Sequence, residues 1–443
     1  MYFLYTLAII GYAILLVPRL LYDAVRHGKH LGTLRERWGW LPATINPQGM
    51  PSIWIHAVSV GEVLATGALI PALRDRYPDH PLWLSTTTQT GRAAATGLDG
   101  VDGLFYFPFD LSSAVARVLE RVRPQLFVMV DTELWPTLLR QCRLRGVKTM
   151  LVNGRISDRS YPRYRLVRPF FRHVLAGVDR CCAQSEESGR RLIDLGAPPT
   201  RVTVTGNLKF DTLPQSDSRV PWVRDGVLRA FRIAEGRTVV MAASTHPGEE
   251  RPVFEAFTRI RRRDPTALLV VAPRHPERCG EVTALAAGHG LETVRRSELP
   301  VDGAPRAAVV VLDTVGELAT LFKIASVVFL GGSLVPAGGH NLLEPAAWGK
   351  PVVFGPHMEN FAEIAELFLA NRAACQIPSA DALEPALSTL LGDPVQRAAL
   401  GAAARALVEA NRGATDRTLT AMAALLPPAA GAPAGVVVPF GAG

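Results

Sequence analysis

Cysteine is scarce. Five occur in 443 residues, Cys142, Cys181, Cys182, Cys279 and Cys375. Their number is odd and no CxxC pair is present, which argues against a disulfide framework or a zinc site and fits a reducing compartment. Cys181 and Cys182 follow an apolar run and read as strand packing. No short-period repeat runs along the chain, and no nucleic-acid-binding module is visible. The N-terminus lacks both a basic start and an A-x-A site, which disfavours a cleaved signal peptide. Charged residues make up only 20%, against 48% hydrophobic, a globular balance that leaves no room for long disorder.

What is present suits two α/β domains of about 200 residues each. The formal net charge of +8 suggests an anionic partner: membrane, nucleotide or nucleic acid. The opening "MYFLYTLAIIGYAILLVP" is 18 residues without a charge, roughly 27 Å if helical and close to one bilayer core. Arg19, Arg26, Lys29, Arg35 and Arg37 follow it. Positive charge on that side predicts a single anchor with everything downstream in the cytoplasm.

From about residue 50 to 210, short β-branched or aromatic segments such as "PSIWIHAVS", "PLWLSTTT" and "QLFVMVDTE" alternate with helical ones such as "DLSSAVARVLERV". Such alternation predicts a parallel sheet with helices on both faces. "DTLPQSDSRVPW" reads as a linker, after which the pattern restarts with "RTVVMAAST", "TALLVVAPRHP", "ASVVFLGGS" and "KPVVFGP". The expected division is an anchor with its basic flank over 1–30, a first Rossmann-like domain over 31–212, a second over 213–426, and a low-complexity tail over 427–443.

Ligands of open parallel sheets bind beyond the carboxyl ends of the strands, so the polar residues there are the candidates. In the second half they are Ser244 and Thr245, Pro273 and Arg274, Val315, Gly316 and Glu317, Gly332 and Ser333, and Gly339 through Glu344. Glycines admit backbone N–H groups close to an anion, Arg274 can fork onto a phosphate, and the Glu344 carboxylate can accept from both hydroxyls of a ribose. Together these read as a nucleotide site, with Ser244, Thr245, Gly332, Ser333, Gly339 and His340 as further phosphate or sugar contacts. Taken singly, each also suits a turn or a helix cap. In the first half, "IHAVSVGEVLA" sets Glu62 at a helix start, placed to be a general base or simply to complement the helix dipole. "VMVDTELWP" ends a strand with Asp131 and Glu133. A metal reading of that D-x-E finds no supporting carboxylate–histidine cluster, and none is expected. "GNLKFD" carries Lys209. "NGRISDRSYPRYRLVRPFFRHV" interleaves Arg155, Arg159, Arg163, Arg165, Arg168 and Arg172 with aromatics, which suits an anionic lipid head group.

"HAVSVGE", "TELWP", "NGRIS", "TGNLKFD", "STHPGEE", "PRHPER", "DTVGEL" and "GGSLVPAGGHNLLEPAAWGKPVVFGPHMENF" closely resemble the 3-deoxy-D-manno-octulosonic acid (Kdo) transferases of lipopolysaccharide synthesis, from the N-terminus to about residue 425. The resemblance implies a GT-B glycosyltransferase of two Rossmann-like domains facing a cleft. It implies inverting transfer of Kdo from CMP-Kdo to a phosphorylated lipid A precursor, lipid IVA, at the cytoplasmic face of the inner membrane. No metal or other cofactor and no nucleic acid would be involved. Glu62 matches the family's general base, and Asp131 and Lys209 match its transition-state supports. Its CMP contacts fall on Pro273 and Arg274, on Val315, Gly316 and Glu317, and on Asn341, Leu342, Leu343 and Glu344. The chain departs from the family pattern at Asp131, where many members have glutamate, and at Leu342, where proline is common. A UDP-sugar epimerase, or another GT-B enzyme, is the rival reading of the same scaffold.

Overall fold

The structure is a computed structural model that describes residues 5, 11, 31–158, 160–213, 237–299 and 306–427. The anchor expected at the N-terminus lies outside these except at Tyr5 and Gly11, as do Arg159, the linker from residue 214 on, and the tail from 428. Among the described residues no helix is long and apolar enough to cross a membrane.

The chain divides into two compact units, Met1–Thr212 with Asn411–Gly443, and Leu213–Ala410. The first is built on β1 (Ser52–His56), β2 (Leu82–Thr86), β3 (Gly103–Tyr106), β4 (Pro124–Val130), β5 (Lys148–Gly154), β6 (Arg180–Ala183) and β7 (Val202–Val204). The second is built on β8 (Val239–Thr245), β9 (Leu268–Pro273), β10 (Thr293–Arg295), β11 (Val309–Val311), β12 (Val327–Leu330), β13 (Val352–Phe354) and β14 (Cys375–Gln376). The two sheets run in the orders β3-β2-β1-β4-β5-β6-β7 and β10-β11-β9-β8-β12-β13-β14, and their paired strands are parallel. Successive side chains of a strand point to opposite faces, and each face of the first sheet feeds its own core. Trp54, Phe127 and Met129 join one cluster, while Ile53, Ile55, Leu126 and Val128 join the other. Burial on both sides explains why strands such as "LFVMV" are continuously apolar instead of alternating.

Strand order reverses between β1 and β4 in the first sheet and between β8 and β12 in the second. At such a point the connections leave toward opposite faces, and a crevice opens beyond the carboxyl ends of the strands. Glu62 follows β1 and Asp131 follows β4. His246 follows β8 and Gly331–Ser333 follows β12. The candidate residues therefore cluster at both switch points.

One expected boundary needs correction. Residues 411–426 do not close the second unit but return to the first. Asp211 accepts from Gly413 N at 2.8 Å and Thr415 N at 2.6 Å, which satisfies free donors at the start of the helix Ala414–Ala423. Arg417 Nε donates to Thr205 O at 2.7 Å, and Tyr77 Oη to Leu426 O at 2.7 Å. Ala414, Leu419 and Met422 enter the same core as Ile53 and Leu73. Asp211→Ala should therefore lower the unfolding free energy by about 1–2 kcal/mol, read as a lower urea midpoint at an unchanged slope.

Candidate active site

In the first unit, β1 ends at His56. That histidine is fully buried, its Nδ1 lies 3.1 Å from Ser85 O, and it stacks on Phe107 at 3.8 Å. Burial pushes its pKa down to about 3, so it is a neutral core residue. The chain then turns through Ser59, extended at φ −121°, into the helix Val60–Ala65. Val58 N donates to Glu62 Oε2 at 2.7 Å and Ser59 Oγ to Oε1 at 2.8 Å. Both carboxylate oxygens are thereby fixed. Burial raises the Glu62 pKa and the neighbouring Asp131 charge adds to the rise, against the lowering effect of those hydrogen bonds.

Asp131 follows β4 with a left-handed backbone, φ +58°, a conformation that Asp and Asn tolerate better than most side chains. Its N–H donates to Val152 O at 2.9 Å. Asn153, left-handed at φ +54°, donates Nδ2 to Asp131 Oδ1 at 2.6 Å and accepts from Leu208 N at 3.0 Å. Lys209 N is held in turn by Asn207 Oδ1 at 3.0 Å. Asn153 thus ties Asp131 to the Lys209 segment. The sequence reading missed it, although its place in "NGRIS" just past a strand was a usable signal. Glu133 completes an acidic group. Burial first, then the Glu62 charge, raise its pKa to about 7. Like charges so placed favour keeping a proton among them. Among the described residues no group of three His, Cys, Asp or Glu side chains is placed to hold a metal ion.

Arg163 and Arg165 are exposed and precede Leu166 and Val167, 84% and 49% exposed. Tyr164, Phe170 and Phe171 turn inward onto the core. Arg165 and Arg168 lie 3.7 and 3.5 Å from Asp194. The Arg155 carbonyl accepts from Thr132 Oγ1. Tyr5 joins this neighbourhood. Its ring lies 5.7 Å from that of Phe170, and its hydroxyl donates at 2.9 Å to Asp110, a buried residue that also accepts from Thr137 N and Leu138 N. A hollow of about 450 Å³ lined by Pro51, Arg123, Pro124, Arg145 and Val147 opens at the amino-terminal edge of the sheet, away from Glu62 and Asp131.

In the second unit the glycine-rich turn differs from expectation. Glu249, fully buried, accepts from His246 N at 2.9 Å, Gly332 N at 2.7 Å, Ser333 N at 3.0 Å and Leu334 N at 2.9 Å. The Ser333 hydroxyl donates to Leu330 O and accepts from Gly355 N at 2.8 Å. Gly339 N donates to Gly332 O at 2.8 Å. A Cβ on Gly339 would sit 2.4 Å from Met358 Sδ. The backbone N–H groups of Gly332 and Ser333, expected as phosphate or sugar contacts, are thus taken by the Glu249 carboxylate, and that of Gly339 by the Gly332 carbonyl.

The other candidates gather around this nest. Ser244 is left-handed at φ +55°. Thr245 is buried, with its Oγ1 lacking a partner among the described residues, and its carbonyl accepts from Arg274 N at 3.0 Å. Pro273 is buried and Arg274 exposed. Val315 is 85% exposed, and Gly316 has φ +91° with open space beside it. Thr314 Oγ1 donates to Glu317 Oε2 at 2.6 Å, and Arg296 Nε lies 3.0 Å from the same oxygen. Arg296, far away in sequence, was not anticipated. Asn341 Nδ2 donates to Glu344 Oε1 at 3.2 Å, and burial raises the Glu344 pKa. Leu342 and Leu343 are fully buried, so only their backbone can meet a ligand.

Two parallel seven-stranded sheets with polar groups at both switch points define a GT-B-like glycosyltransferase fold. Residues 32–212 match the family model described as 3-deoxy-D-manno-octulosonic-acid transferase (kdotransferase), and residues 252–407 match that for glycosyl transferases group 1. The chain is 36% identical over 410 residues to the 3-deoxy-D-manno-octulosonic acid transferase of Haemophilus influenzae, covering 89% of this chain and 92% of that one. It is 39% identical over 381 residues to that of Bordetella pertussis, covering 84% and 86%. The chain belongs to the Kdo transferase family of lipopolysaccharide biosynthesis. UDP-GlcNAc 2-epimerase from Neisseria meningitidis aligns over 84% of this chain and 99% of its own, with a TM-score of 0.58 at 13% identity. A glycosyltransferase from Rickettsia africae aligns over 85% and 99%, with a TM-score of 0.56 at 12% identity. At such identities the likeness is of fold alone.

The acidic group sets a pH dependence. A base with a raised pKa is lost as pH falls through that raised value, so the acid limb of kcat/KM should sit above the ordinary carboxylate range. Asp131→Asn removes the negative neighbour that adds to the rise at Glu62 and should move that limb to lower pH, checked by kcat/KM profiles of the two proteins.

Proposed function

We propose that this protein transfers Kdo from CMP-Kdo to a phosphorylated lipid A precursor, lipid IVA, with inversion, at the cytoplasmic face of the inner membrane. The observation that carries this reading is the Glu62 carboxylate, fixed through both oxygens beside β1 in a chain of the Kdo transferase family. Glu62 takes the proton of the acceptor's primary hydroxyl as that oxygen attacks the anomeric carbon. A single displacement inverts that centre. Asp131, held by Asn153, and the sugar's own carboxylate offset the positive charge that develops on the ring, with Lys209 as a further support. Arg274 meets the departing CMP phosphate, with Val315, Gly316, Glu317 and Asn341 through Glu344 around the nucleoside. Electrostatics from these side chains take the place of a metal, and no cofactor is required.

The lipid acceptor is read from the first unit. Exposed Arg163 and Arg165 beside Leu166 suit glucosamine phosphates at a membrane surface, with Arg155 nearby in sequence. The uncharged opening 18 residues supply the anchor to the same membrane. The epimerase alternative predicts a preference for UDP-sugars, so the donor that supports turnover separates the two.

Glu62→Gln should reduce transfer by roughly 10²–10⁴-fold while leaving CMP affinity nearly unchanged. CMP release with growth of the glycolipid, followed by mass spectrometry, measures the first, and calorimetry the second. Near-normal turnover of that variant would remove Glu62 from the base role.

A further inference from the structure

The switch point of the second sheet carries a histidine pair, in which His340, read above as a phosphate or sugar contact, meets His246, whose chemistry has no role above. His246 and His340 approach Nε2 to Nε2 at 2.9 Å, with rings stacked 5.2 Å apart at 18°. His275 meets His246 edge-on at 5.8 Å. Two ring nitrogens at hydrogen-bond distance need one proton between them, so one Nε2 donates and the other accepts. A neutral imidazole has a single N–H. The donor ring therefore has a bare Nδ1, and the acceptor ring keeps its N–H at Nδ1. In this state the pair offers one donor and one basic nitrogen. One more proton turns it into a cation with two donors.

Gly332 makes the approach of the rings feasible. A Cβ there would lie 3.0 Å from His340 Cδ2 and 3.3 Å from His246 Cδ2, crowding both. Because Glu249 already occupies the amides of this turn, an anion arriving beyond β8, β9 and β12 meets side chains rather than backbone. The charged groups around the pair are few. Glu249 lies under His246, spent on four amides. Glu250 is bound by Arg278 at 2.7 Å. Arg274 and His275 oppose protonation. Burial first, then the His246 ring and Arg274, hold His340 down to about 4, and burial holds His246 below the ordinary imidazole value. The pair is therefore neutral at pH 7. A bound anion reverses that balance.

We propose that His246 and His340 form a proton-loading subsite for the phosphate of the donor nucleotide, taking up one proton as the anion binds and delivering it to the leaving oxygen. This rests on the donor-site reading above. In the transfer step the acceptor oxygen bonds to the anomeric carbon as the bond from that carbon to the phosphate oxygen breaks. The electron pair stays on the phosphate oxygen, which takes the imidazolium proton, while the acceptor's proton goes to Glu62. CMP leaves as the monoanion and the pair returns to neutral.

The test is calorimetry of CMP binding to the full-length protein in detergent at pH 7, in buffers of different ionisation enthalpy. The wild type should take up about one proton per CMP. His340→Asn and His246→Asn should each bind CMP roughly tenfold more weakly and lose that uptake. The double variant should bind no more weakly than either single variant, because the two rings act as one unit. His275→Asn should keep the uptake, and cytidine, which has no phosphate, should bind all five proteins alike. Imidazole nitrogen NMR on the wild type gives a readout independent of variants: the bare-nitrogen signal should vanish as a cytidine 5′-phosphodiester that cannot be cleaved is added. Wild-type binding of CMP with no proton uptake and no change in that signal overturns the proposal alone. Failure of the wild type to bind CMP, with UDP binding instead, overturns the donor reading and this proposal together.

Discussion

Parallel strands all end on the same edge of their sheet. Every chemical feature of this chain follows from that constraint. Once β1 to β7 run one way, the segments after them share an edge, and the reversal of order between β1 and β4 opens a gap there. Glu62 and Asp131 stand at the two strands that flank it. The second sheet repeats the geometry with β8 and β12, whose trailing segments bring His246 and His340 together. Continuous apolar strands are the condition for this, since only a sheet covered on both faces stays parallel.

The two switch points have opposite chemistry. Beyond the first sheet, acids crowd until one carboxyl titrates near neutrality. Beyond the second, imidazoles and a guanidinium gather over a carboxylate that the backbone has already claimed. Each arrangement gathers groups of one kind in partial burial, which disfavours their charged forms. The acidic group suits a proton to be removed and a positive charge to be offset, and the basic group suits a departing anion.

Much of this was legible in the residues. Strand positions, the break after residue 212 and the places of Glu62, Asp131 and Arg274 follow from apolar runs and the polar residues that close them, because these signals are local. Contacts made across long separations were not legible. Nothing near "STHPGEE" shows that the first of its two acids turns beneath a glycine turn 83 residues later, and so the glycines read as an open cradle. The return of residues 411–426 depends on Asp211, which lies 202 residues before Gly413. Asn153 and Arg296 look like ordinary polar positions until their partners, Asp131 and Glu317, are seen.

That return of the chain also bears on how the protein is made. A ribosome delivers residues in order, and domains tend to fold as they emerge. Here the leading half must wait. Its floor over Ile53 and Leu73 lacks Ala414, Leu419 and Met422 until the trailing half has left the exit tunnel. A nascent chain halted after β7 lacks the residues that cover that apolar patch, which ties completion of the first unit to completion of the whole polypeptide.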